Sequence, residues 1–249
     1  MSSFLDSALH LRRRSVWEAA DSGLLLWRKS FADFIPFFAI PVWIAACGLR
    51  FLPLDENGYI PYLALWWLKP LFDRLILHVV SVRFFNSSAR FKDLRKGLWG
   101  TLRRGLLGDL LWRRFSPGRG ARMPLRVLER LHRKQYSQRK KALVPGGLNF
   151  CFLISAVGLV LEGVLLLGEF AFASMIIRLF LPTSLSYISR YSEVTSILIY
   201  AAYCFNYILV GSIYVCMGFG LYINSRVEIE GWDLQLLFNN FVRGGPGVL

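Results

Sequence analysis

Long apolar blocks alternate with short polar links along this chain, and the blocks have about the length of roughly 20 residues that a helix needs to cross a bilayer. The pattern predicts crossings over 33–52, 59–82, 148–169 and 194–223. Ahead of the first block, Trp17, Ala20, Leu24, Trp27 and Phe31 recur at steps of three and four, which predicts an amphipathic helix over 15–31. Glu18 and Asp21 suit its first turn, and Arg28 and Lys29 its last. Such a helix is expected to lie in the interface plane; packing against the later polar loop is the other reading. Pro36 and Pro41 predict a kink in the first crossing.

A polar segment over 86–145 separates the second and third blocks. One helix is expected over 91–113, with Leu94, Leu98, Leu102 and Leu106 in a row, ended by Ser116-Pro117-Gly118. A second begins after Pro124 and carries Leu125, Leu128 and Leu131. The third block, 148–181, reads either as one tilted helix or as a crossing followed by an interfacial continuation from Glu169. Leu234, Leu237, Phe238 and Phe241 in the tail keep helical spacing. The reading is a single all-α membrane domain over 1–249, an integral membrane helical bundle of about four transmembrane helices, with an N-terminal interfacial amphipathic helix and a basic helical cytoplasmic loop.

Composition sharpens this. The chain is 55% hydrophobic, above the roughly 45–50% usual for soluble domains. Its formal net charge of +14 is placed unevenly. Arg90 to Lys141 hold 17 Lys or Arg against Asp93, Asp109 and Glu129, which accounts for the whole excess. Lys and Arg concentrate on cytoplasmic loops, so 86–145 and both termini are assigned inside. The acidic link with Asp55, Glu56 and Asn57, and residues 182–193, are assigned outside. Three partners suit the basic loop: anionic lipid headgroups at about 1 kcal/mol per cation, an acidic protein, or nucleic acid. Headgroups are favoured and nucleic acid disfavoured, because no nucleic-acid motif accompanies the charge. Arg12, Arg13 and Arg14 precede about twenty amphipathic residues rather than the short apolar core and cleavage site of a signal peptide, so the first crossing is expected to be retained.

Chemistry concentrates in the second crossing. Lys69, Asp73, Arg74 and His78 interrupt an apolar run and together cover about half the helix surface at about 100° per residue. The opposite side, Leu65, Leu68, Phe72, Leu75 and Val79, reads as lipid-facing. Mid-membrane ionisable groups cost roughly 2.5–3.5 kcal/mol and should face protein or water. Glu162 in the third crossing stands at a similar expected depth to Lys69 and is the candidate partner of Lys69 or Arg74. This intramembrane network is either a packing lock or an ion path. Cys204, Gly211 and Gly218 repeat every seven residues along the fourth crossing and read as a helix-packing seam, within the chain or between two copies. Cys47, Cys151, Cys204 and Cys216 all lie in apolar blocks without metal spacing. There is no HExxH, Walker A or GxSxG pattern and no cofactor motif; Gly211-Ser212 stands alone, and His10, His78 and His132 are scattered.

Ser15-Val16-Trp17-Glu18-Ala19-Ala20-Asp21 with Leu26-Trp27-Arg28-Lys29-Ser30-Phe31 resembles the opening of bacterial membrane proteins similar to the membrane domain of glycerophosphodiester phosphodiesterases. The segments from Trp66 to Arg74 and from Asn224 to Leu234 look like motifs of multi-pass bacterial inner-membrane proteins. The resemblance implies an inner-membrane location and a non-catalytic module, with no active-site residue to carry over. The expected role is a scaffold or accessory subunit of a membrane complex, possessing a lipid- or partner-binding loop. A membrane-protein partner or a homo-oligomer fits that role. The alternatives are a small transporter using the charged face of the second helix and, behind it, a membrane-embedded lipid enzyme.

Overall fold

The computed structural model describes residues 14–52, 59–103, 105–111, 119–129, 136, 147–180 and 185–231. The expectations for the arginines at 12 and 13, the outer link at 53–58, the Ser116-Pro117-Gly118 break, Leu131 and the tail from Leu234 lie outside these. The described elements are helices: α1 (Val16–Phe34), a π-helical turn (Ile35–Ala39), α2 (Ile40–Phe51), α3 (Ile60–Phe85), α4 (Phe91–Arg95), α5 (Leu98–Arg103), α6 (Leu106–Leu111), α7 (Arg119–Leu128), α8 (Gly147–Phe180) and α9 (Leu185–Glu230). Three stretches are long and apolar enough to cross a membrane: Val16–Phe51, Phe152–Met175 and Thr195–Ile229.

The expected interfacial helix and first crossing form one helical run through the π-helical turn. Pro36 and Pro41 lack the N–H groups that a regular α-helix needs there, and the wider turn absorbs the defect, with the Ile40 N–H bonding the Ile35 carbonyl. α1 packs most extensively on α9. It buries Ala19, Ala20, Gly23 and Leu26, while Trp17, Leu24 and Phe31 of the expected apolar stripe stay exposed. Small residues decide this contact: a Cβ on Gly220 would stand 2.4 Å from the Ala19 carbonyl oxygen, and one on Gly23 would stand 2.4 Å from that of Cys216. Only glycine lets the two backbones approach so closely.

α3 is the central helix. Every residue from Phe72 to Ser81 is buried, so the side expected to face lipid is covered instead. Leu65, Phe72, Leu75 and Val79 join the core, where Phe72 meets Phe38 at 6.4 Å and Tyr207 at 6.3 Å between ring centroids. The physical reason is that α1, α2 and α9 pack around α3, while α5 and α6 close its remaining side.

The helix expected over 91–113 is broken into α4, α5 and α6. Gly97 (φ 77°) and Gly105 (φ 62°) adopt the left-handed conformation that interrupts a helix at little cost only for glycine. Asp93 caps α4 by accepting from the Arg90 N–H, and the Lys96 ammonium, with that N–H, holds its carboxyl below the ordinary range. α7 starts at Arg119, ahead of Pro124, which lies inside it. α8 is one continuous helix, which removes the interfacial-continuation reading; no proline interrupts 148–180, and none of its glycines has a positive φ. α9 begins at Leu185, so 185–193 continue the helix rather than forming a link.

Candidate functional site

The polar face of α3 is closed by the chain's own basic segment. Arg74, 1% exposed, donates to Asp109 of α6 at 2.6 Å. It also donates to the carbonyls of Thr101 and Leu102 at 3.3 and 2.8 Å. Arg126 of α7 pairs with the other oxygen of Asp109. The adjacent residue of α3, Asp73, pairs with Arg119, also from α7. His78 lies 2.9 Å from the Leu94 carbonyl through Nε2 and 3.2 Å from the Thr101 hydroxyl through Nδ1. Buried charges persist when they are paired: Arg74 has Asp109 and two backbone carbonyls, and Asp73 has Arg119. Arg74 is therefore matched by Asp109, not by Glu162.

The glycine seam of α9 makes the docking possible. A Cβ on Gly218 would stand 2.5 Å from the Gly120 carbonyl carbon of α7. Pro124 cannot give the hydrogen bond that the Gly120 carbonyl would receive from residue 124 in a regular helix, and that carbonyl lies against Gly218. The Gly120 N–H donates to the Tyr214 hydroxyl at 3.0 Å, which in turn meets Ser155 of α8 at 3.0 Å. Glu129 accepts from Tyr222 at 2.7 Å and lies 3.8 Å from Arg226. Cys204 is fully buried, Gly211 faces Lys69 and Gly218 faces Gly120, so all three seam residues pack within this chain. Ser212 accepts from the Trp27 indole at 2.8 Å and donates to the Leu209 carbonyl, which gives Gly211-Ser212 a packing role.

Lys69 stands apart from the network. Its ammonium lies 4.6 Å over the Tyr207 ring centroid and makes no ion pair among the described residues. It opens onto a cavity of about 670 Å³ between α3, α7, α8 and α9, which Glu162 and Arg119 also line. Gly158 of α8 faces Val210, and Gly211 faces Lys69. Glu162 is one turn beyond Gly158, so the two charges differ by roughly 6 Å along the helix axes. The structure thus brings Lys69 and Glu162 to one cavity without joining them.

Sequence reasoning missed Asp109, Arg119 and Arg126. The signal was present: Asp109 is one of only three acids among 17 bases. It also missed the clasp between Arg83 of α3 and Asp33 of α1, with bonds of 2.5 and 2.7 Å. The chain matches no protein-family model, no curated protein and no solved structure.

Proposed function

We propose that this is a non-catalytic multi-pass protein of a bacterial inner membrane, serving as a scaffold or accessory subunit of a membrane complex. The observation that carries the reading is the closure of Asp73 and Arg74 of α3 by α5, α6 and α7. Asp73 and Arg74 are engaged by Arg119 and Asp109, which suits a packing lock better than a moving ion path. In this reading α3 also crosses, which brings the count to four, with Asp73 and Arg74 enclosed by protein, and both termini and the basic segment face the cytoplasm. The resemblance to the phosphodiesterase membrane domain belongs to the same proposal.

The outer surface of the basic segment supports a headgroup-facing role. Arg90, Lys92, Arg95, Lys96 and Arg103 are exposed, and Phe91, Trp99, Leu107 and Leu111 are exposed among them. Cations interleaved with large apolar side chains suit the boundary of an anionic membrane. α8 is the natural face for a protein partner, since only 6% of its apolar window is buried within the molecule. A photo-reactive residue placed at Val160 of α8 tests this in native membranes. A discrete protein adduct is expected. Lipid adducts alone, together with solute flux in proteoliposomes, would replace the scaffold with the transporter.

A further inference from the structure

We propose that the cavity between α3, α7, α8 and α9 holds one zwitterionic phospholipid, its phosphate on Lys69, its ammonium on Glu162 and a hydrocarbon chain along α8. This goes beyond the scaffold reading and does not depend on it.

Three observations converge. The cavity, about 670 Å³, falls in the range of roughly 300–1,000 Å³ typical of small-molecule sites. Its α8 wall includes a stripe at steps of three and four, Phe152, Ser155, Leu159, Glu162 and Leu166, whose apolar members extend ~21 Å along the helix. A stripe of that length accommodates an acyl chain. α8 is otherwise largely uncovered, so an amphiphile has a lateral way in from the hydrocarbon phase.

Charge selects the headgroup. Arg119 also lines the cavity but is matched by Asp73 behind it. That leaves Lys69 and Glu162, of opposite sign, in one cavity and not paired with each other. A purely anionic head satisfies Lys69 and leaves Glu162 facing a like charge. A purely cationic head does the reverse. A head carrying both signs satisfies both, and a primary ammonium supplies hydrogen-bond donors to the carboxylate that a quaternary one lacks.

Native mass spectrometry of the full chain in mild detergent tests this, with dioleoyl phosphatidylethanolamine, phosphatidylcholine and phosphatidylglycerol as probes and O-phosphoethanolamine as the head alone. One phosphatidylethanolamine is expected to bind at least tenfold more tightly than phosphatidylglycerol, and more tightly than phosphatidylcholine. Glu162→Gln should erase the preference over phosphatidylglycerol. Gly163 lines the cavity and has nothing within 4 Å of an added Cβ, so Gly163→Phe fills the space in a folded protein and should weaken binding at least tenfold. Equal or tighter binding of phosphatidylglycerol to the native chain would overturn the headgroup assignment. Unchanged binding in Gly163→Phe would overturn the site, and head-alone binding as tight as the lipid would overturn the amphiphile.

Discussion

Gly120 of α7 and Gly218 of α9 touch backbone to backbone, at a spacing that leaves no room for a Cβ on Gly218. This contact seats α7, and with it Arg119 and Arg126, on the membrane helices. Gly218→Val should therefore push α7 away and cost about 1–3 kcal/mol of overpacking. A lower melting temperature in detergent and faster amide exchange over 119–128 are the expected readings. Gly48, with nothing within 4 Å of an added Cβ, is the control, and Gly48→Ala should be neutral or stabilise by up to about 1 kcal/mol. Equal effects at both glycines would mean that α7 is not docked in this way.

The clasp between Arg83 and Asp33 ties the C-terminal end of α3 to α1 through two parallel bonds. Lysine cannot reproduce that fork. Both side chains are partly exposed, so solvent screening limits the loss to about 1 kcal/mol. Arg83→Lys and Asp33→Asn should each lower the melting temperature by a similar small amount, and the double variant by little more. Additive losses would mean that the two do not act as a pair.

The exposed cations of α4 and α5 give a salt-dependent prediction for the proposed headgroup contact. An environment-sensitive dye on a cysteine placed at Leu107 should report a less polar setting in anionic nanodiscs than in zwitterionic ones. The difference should shrink as salt rises, because a Debye length of about 10 Å at 0.1 M screens such contacts. Identical spectra in the two lipids at low salt would reject the electrostatic account.

The proposed orientation places Lys96 on the cytoplasmic side. A cysteine there, in a chain lacking its native cysteines, should react with an impermeant maleimide only after the cells are opened. Labelling in intact cells would invert the topology.

The charged face of α3 was legible because Lys69, Asp73, Arg74 and His78 stand out in an apolar run. Their partners were not, because the pairing of Asp73 with Arg119 and of Arg74 with Asp109 joins residues tens of positions apart, which local periodicity does not report. The α7 helix was expected to begin after Pro124, since proline breaks a regular helix interior. Pro124 lies inside α7 instead, and the Gly120 carbonyl it leaves without a helical partner lies against Gly218. The stripe of α1 misled for a related reason. Large apolar side chains dominate a hydrophobic pattern, but close helix packing in a membrane setting uses small ones, so Ala19, Ala20 and Gly23 face α9 while Trp17 points outward. The continuity of α8 was left open by the sequence; with no internal proline and its glycines in helical conformation, it is one helix.

The central claim is that the basic segment locks α3 through buried ion pairs, and the pair of Asp73 and Arg119 tests it most directly in a double-mutant cycle read by unfolding in mixed micelles. Asp73→Asn and Arg119→Met each strand one buried charge, which should cost about 3–5 kcal/mol. The double variant strands neither, so its loss should fall well short of the sum, with a coupling of about 2–3 kcal/mol. Strictly additive losses would contradict the account.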